Sequence, residues 1–172
     1  MIQDSQTDFS LGEVRVSLSP QERFEEYLQS KGKRTTSQRR VLVDHVFSRH
    51  EHFDADELIE QLNRKARGTD RVSRATVYRA LDELVEAGLL RKMSLGSRSV
   101  YEHDYGYPQH DHLHCTQCDA LIEFRSDELM ALREAVGREY GFRVTGHRLT
   151  ISGICRSCAE KRHRKTSPLD LI

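Results

Sequence analysis

The chain has no tryptophan, no net charge and no long apolar run. Nothing in it approaches the ~20 consecutive apolar residues that carry a helix across a bilayer, which excludes a helical membrane protein. Its opening, "MIQDSQTDFSLGEV", has early acids and lacks the basic and apolar regions of a secretory signal, so the expected location is the cytoplasm. Lys plus Arg and Asp plus Glu number 27 each, so overall charge exerts no pull toward a polyanion. No H-E-x-x-H motif is present, which removes the commonest sign of a zinc hydrolase. Cysteine is scarce, at four in the chain.

What is present suits a soluble, mostly helical protein: 37% hydrophobic and 31% charged residues over 172 positions. That length fits one large domain or two small ones. Small domains have thin cores and profit from a metal staple or a partner chain. The cations are also unevenly spread. "KGKRTTSQRR" (31–40) and "RKARGTDRVSR" (64–74) hold five cations each, with Asp70 the lone acid between them. Such clusters are more often solvated helix faces than phosphate contacts.

Residues 1–19 show no sustained period and are expected to form a loose arm. Pro20 opens a helix in which Phe24, Tyr27 and Leu28 recur at helical spacing before Gly32. Thr36 suits the cap of a second helix whose inner stripe is expected at Val41, Leu42, His45 and Val46. "FDADELIEQLNRKA" reads as a third, with Asp54 and Glu57 spaced as a capping box and Leu58, Ile59 and Leu62 inward. Ser73 caps a fourth, "RATVYRALDELVEAG", with Val77, Leu81, Leu84 and Val85 on one face and Arg74, Ala75, Tyr78, Arg79 and Asp82 on the other. Two strand-like runs, "LLRKM" and "SVYE", follow. Helices and then a hairpin outline a winged helix-turn-helix over residues 20–103. "DYGYPQ" (104–109) is rich in turn-formers and reads as a hinge. Beyond it "HLHC", "ALIEF" and "FRVTGHRLTISGIC" read as strands, with a helix over "SDELMALREAVGREYG". The expected architecture is therefore α+β, with a small second α/β domain at 110–160 and a polar tail at 161–172.

All four cysteines lie in two C-x-x-C pairs, Cys115/Cys118 and Cys155/Cys158. Outside an oxidising compartment such pairs read as metal ligands, and two of them make a closed Cys₄ zinc site. A closed site staples the fold and leaves no position open for catalysis. The stretch "HDHLHCTQC" (110–118) adds histidines. In a strand His110, His112 and His114 share a face opposite Cys115. Residues two apart lie roughly 6.6 Å apart, so His110/His112 or His112/His114 could converge on a second ion, whereas the ends of the triplet lie too far apart. Glu102 and Glu123 are candidate carboxylates. Nitrogen and oxygen donors suit Fe²⁺, Mn²⁺ or Zn²⁺.

From about Gly32 to Cys158 the chain resembles the ferric uptake regulator (Fur) family of metal-dependent transcriptional repressors. The resemblance rests on "RTTSQRRVL", "EHFDADEL", "VSRATVYRALDELVEAGLL", "SVYEHD", "HDHLHCTQCDALIEF" and "GHRLTISGICRSC". It implies a homodimer with a winged-helix DNA-binding domain and a C-terminal dimerisation domain. It makes Cys115, Cys118, Cys155 and Cys158 a structural zinc site. It assigns His52, Glu102, His110, His112 and Glu123 to a regulatory metal site at the hinge, leaving His114 outside. One extra residue separates Glu102 from His110 relative to the family pattern, which leaves His103 and Asp104 as competitors for that role. A further family site uses a His, an Asp, a Glu and a second His. Asp111 and His147 match it, while Gln109 and Met130 stand at the other two positions, so a degraded third site is expected.

The resemblance also directs Tyr78, Arg79 and Arg34 to DNA, and Arg74 lies one turn before Tyr78 on the same face. An exposed Tyr can touch a thymine methyl, and Arg can bind phosphate or guanine. The expected function is thus a metal-responsive repressor of double-stranded operator DNA, with structural Zn²⁺ and no small-molecule substrate or membrane partner. Iron is the expected signal. Peroxide-sensing relatives typically carry Asp where this chain has Glu123, and zinc-sensing ones usually bring a cysteine to the regulatory site. Manganese, zinc or peroxide sensing within the family is the alternative, and a purely structural zinc-ribbon module the remote one. An enzyme is not expected.

Overall fold

The computed structural model describes residues 11, 14–64, 71–95 and 98–165, with side chains to residue 161. Two compact units divide the chain, one running from Glu13 to Tyr107 and the other containing everything from Pro108 onward.

The first unit is built from four helices and a small sheet: α1 (Pro20–Ser30), α2 (Ser37–Phe47), β1 (Phe53–Asp54), α3 (Ala55–Arg64), α4 (Arg74–Glu86), β2 (Leu90–Leu95) and β3 (Arg98–His103). Local chemistry sets the helix starts. Ser19, Thr36 and Ser73 each accept a backbone N–H from the first turn of the helix that follows. Ser19 therefore belongs to α1 rather than to a loose arm, and Glu22 closes its capping box. Asp54 and Glu57 form the reciprocal pair expected for α3. Leu28, Val43, Val77, Leu81, Leu84 and Leu89 are fully buried in one shared core. Gly88, at φ 69°, makes the left-handed turn that sends α4 into β2, a conformation that costs a residue with a Cβ. The sheet order is β1-β3-β2, antiparallel throughout, so β3 is central.

One expectation for this unit is corrected. Val41 is 56% exposed, and the inner stripe of α2 is Leu42, Val43 and Val46. A run of three aliphatic side chains, Val41, Leu42 and Val43, does not say which pair faces inward. The packing of α1, α3 and α4 against α2 decides it.

The second unit holds β4 (Asp111–Cys115), β5 (Leu121–Phe124), α5 (Asp127–Glu139), β6 (Thr150–Gly153) and α6 (Arg156–Lys165). Its sheet order is β5-β4-β6, with β4 antiparallel to β5 and parallel to β6. Only residues 150–153 of the long run read as a strand pair with β4; residues 142–149 form no strand. Side chains intercept that segment: the Leu149 amide donates to Asp111, and Gln109 donates to the His147 carbonyl. The first residues of the stretch expected as a polar tail are helical, since α6, rich in Ala, Glu, Lys and Arg, continues through Lys165. Residues 166–172 lie outside the described residues.

Leu113, Ile122 and Ile151 stand side by side on one face of this sheet and are 42%, 56% and 45% exposed. Cys115 is the unit's one buried hydrophobic residue among the described residues. A sheet with so little of its own to bury against requires a second surface.

Candidate metal centres and DNA-facing surface

The two C-x-x-C pairs meet because β4 and β6 are parallel neighbours, with Cys115 opposite Gly153. Cys118 returns toward Cys115 through a turn in which Asp119 takes φ 56° and its amide donates to the Cys115 carbonyl. Cys155 and Cys158 flank the first turn of α6, and the Cys155 amide points at the Cys115 sulfur, 3.3 Å away. All four sulfurs lie within 4.8 Å of one another, and Cys118 and Cys155 are 3.7 Å apart. A tetrahedral zinc with Zn–S of about 2.3 Å has an S···S edge of roughly 3.8 Å. The cluster therefore fits a structural zinc site. Amide donors, chiefly that of Cys155, lower the Cys115 thiol to about 6. Its crowded neighbour Cys158 is pushed up to about 12, first by hydrogen bonding with Cys118. Four thiols this close lose their first proton easily and their last with difficulty, and a divalent cation removes that conflict.

Each unit also carries a set of histidines and carboxylates. In the first unit, β1 pairs with β3 so that Phe53 is opposite Tyr101. One step outward, the same register sets His52 against Glu102, with Nε2 and Oε2 3.3 Å apart. The two competitors for Glu102's place are committed elsewhere. His103 bonds the Val46 carbonyl through Nε2 and His50 through Nδ1, and Asp104 pairs with Arg91.

In the second unit the β4/β5 register puts His112 directly opposite Glu123. His110 and His112 rings meet edge to face at 4.8 Å, and His110 Nε2 lies 3.9 Å from Glu123 Oε1. The Nδ1 of His110 is 2.9 Å from the Pro108 carbonyl, so this nitrogen carries the proton and Nε2 is left as a lone-pair donor. His110, His112 and Glu102 are all buried. Imidazoles and carboxylates of this kind suit a divalent cation with nitrogen and oxygen preference. His114 is turned to Asp119 instead.

Asp111 and His147 are joined by a 2.9 Å contact from Nε2 to Oδ2. Gln109 ties the His147 backbone to the same place. The two residues that match the family's further site are thus already paired to each other.

Arg74, Tyr78 and Arg79 all lie on the exposed side of α4, opposite the buried Val77, Leu81 and Leu84. Arg74 forms a 2.6 Å ion pair with Asp56 of α3, and Arg79 folds back to the Ala75 carbonyl. Arg34 is exposed between α1 and α2, and its carbonyl accepts from Arg39. Sequence reasoning missed Arg39 and its partner Glu83. Glu83 is charged but buried, and it holds Arg39 through both carboxylate oxygens and Lys33 at 2.8 Å.

A winged helix followed by an α/β unit with clustered thiols and imidazoles is the build of a metal-responsive DNA-binding regulator. The chain belongs to the ferric uptake regulator family, whose model matches residues 30–152. It is 31% identical over 141 residues to the ferric uptake regulation protein of Campylobacter jejuni, covering 82% of this chain and 89% of that one. The Rhizobium leguminosarum protein of the same name is 36% identical over 132 residues, covering 76% and 90%. The peroxide-responsive repressor PerR of Staphylococcus epidermidis is 29% identical over 134 residues, covering 78% and 87%. Among solved structures, the Helicobacter pylori ferric uptake regulator, described as having three functional metal binding sites, shares the fold at TM-score 0.73 and 22% identity, covering 86% of this chain and 97% of that one. The Pseudomonas aeruginosa regulator with manganese superposes at TM-score 0.65 and 27% identity, covering 77% and 97%. A zinc-bound manganese uptake regulator superposes at TM-score 0.55 and 35% identity, covering 77% and 98%. Among the described residues, no helix is long and apolar enough to cross a membrane.

Proposed function

We propose that this chain is a homodimeric repressor that iron(II) closes onto double-stranded operator DNA. The observation that carries the reading is the division of the donors. His52 and Glu102 are set together by one unit, and His110, His112 and Glu123 by the other. Neither set alone fills a transition-metal shell. Together they supply five donors, and a shared ion would favour whichever arrangement of the two units lets all five converge, in proportion to its differential affinity. That arrangement would set two recognition helices, α4 of each protomer, at the spacing of successive major grooves. Tyr78 and Arg79 would read base edges, with Arg34 and Arg74 on phosphate or minor groove.

The absence of a spare thiol argues against a thiolate-held zinc signal and leaves iron as the first reading. All four cysteines are committed to the cluster that fits zinc, which leaves only nitrogen and oxygen for the signal. The relatives named for ferric uptake point the same way. Manganese is the second reading, favoured by the 35% identical manganese uptake regulator. At the third position Asp111, His147 and Gln109 would act as a hydrogen-bonded clasp that needs no metal. The exposed Leu113–Ile122–Ile151 face supports the dimer. These roles are those of a cytoplasmic regulator rather than an enzyme.

The test is operator binding by zinc-loaded protein with and without Fe²⁺, Mn²⁺ or added Zn²⁺. Fe²⁺ is expected to raise affinity at least tenfold. His112→Ala should abolish most of that gain while leaving dimer mass and circular dichroism unchanged. Equal metal response in that variant would sink the clamp.

A further inference from the structure

Glu102 lies on the central strand β3, between two neighbours of opposite kind. On one side the β2 register places Arg91 directly across from it. The guanidinium Nη1 sits 3.3 Å from Oε1 of Glu102, and Nη2 reaches Oδ1 of Asp104. On the other side His52 approaches Oε2. Each oxygen of one buried carboxylate thus has its own partner: a permanent cation for Oε1 and a candidate metal-binding imidazole for Oε2. Glu102 is 3% exposed and Arg91 17%, so water screens this pair poorly.

We infer that Arg91 is a built-in counter-cation that sets the affinity of the regulatory metal site. The inference rests on the reading of Glu102 as a ligand given above. Without metal, the guanidinium compensates the charge of the buried carboxylate, so the empty site is not destabilised by an uncompensated charge. With metal, the same fixed charge would oppose a dication held through the adjacent oxygen. Both effects act in one direction. Stabilising the metal-free state and repelling the ion each weaken binding, which is what a sensor needs if it is to respond to an abundant metal pool rather than to traces. Arg91 also draws Asp104 to itself, withholding a second carboxylate that stands close in sequence. It is a positioning and tuning residue, not a ligand.

The experiment measures Mn²⁺ binding to the zinc-loaded full-length dimer, by titration calorimetry and by the loss of free-Mn²⁺ electron paramagnetic resonance signal. Arg91→Gln removes the charge and keeps a hydrogen-bonding group. It is expected to bind Mn²⁺ about tenfold more tightly, while its metal-free form melts at a lower temperature and regains more on Mn²⁺ addition than the parent does. Arg91→Lys keeps the charge and is expected to stay within threefold of the parent affinity. Arg91→Met replaces the Gln variant if the latter does not fold. A neutral variant that binds no more tightly than the parent overturns the inference, as does a Lys variant that tightens as much as the neutral one. Glu102→Gln separates the two claims. If it weakens Mn²⁺ binding and Arg91→Gln fails to tighten it, the tuning role alone is wrong. If it leaves binding unchanged, Glu102 is no ligand and the assignment beneath the inference falls with it.

Discussion

Glu83 shows how much one side chain can coordinate. It lies on the inner side of α4 and receives a forked Arg39 and the amine of Lys33, while Arg39 also reaches the Arg34 carbonyl. The carboxylate therefore fixes the segment carrying Arg34 against the helix carrying Tyr78 and Arg79. Removing one partner of a buried pair leaves the others' charges uncompensated. Glu83→Ala should cost on the order of 3 kcal/mol in chemical denaturation, well above an exposed pair such as Arg64–Glu60. At this scale the sequence was read unevenly. The cysteines were unmistakable because their spacing matches a coordination tetrahedron. Glu83 was not legible, since nothing in "LDELVEAG" distinguishes an inward acid from the outward Asp82 and Glu86. Val41 and Val43 were exchanged for a related reason: side chains of equal hydrophobicity carry no label for the face they will occupy.

At the scale of elements, helix starts were the most readable feature. The Thr36 and Ser73 caps and the Asp54/Glu57 box occur where polar side chains meet apolar period, since the orphan N–H groups of a first turn demand an acceptor. Ser73 also opens the helix assigned to DNA reading. Ser73→Ala should lower stability by about 1 kcal/mol and speed hydrogen exchange in the first turn of α4 before other helices are affected. Strands were less readable. A two-residue element such as β1 has no period to detect, and in the segment after α5, of strand-like composition, the His147 carbonyl accepts from Gln109 and the Leu149 amide donates to Asp111. In both places the outcome was set by a partner distant in sequence.

At the scale of the whole molecule the two units are stabilised by different means. The winged unit has a contiguous apolar core, whereas the unit beyond Pro108 has Cys115 as its one buried hydrophobic residue among the described residues. That leaves the thiol cluster as the main candidate source of stability there, with Leu113, Ile122 and Ile151 exposed. Stripping metal from the thiol cluster with a strong chelator should abolish hydrogen-exchange protection in β4, β5 and β6 and, if the proposed homodimer holds, convert dimer to monomer. The helices of the winged unit should keep theirs. Equal loss in both units would mean that the first does not stand on its own core.

The two residues of β1 have a consequence out of proportion to their number. Because Phe53 faces Tyr101, the next position outward facing Glu102 is a histidine. Sliding that short ladder by a single notch would bring Glu51 or Phe53 there instead, juxtaposing two acids or a carboxylate and a benzene ring. On the proposed reading, the capacity to sense a cation is stored as an alignment, and the shortest strand among the described residues is the ruler that keeps it.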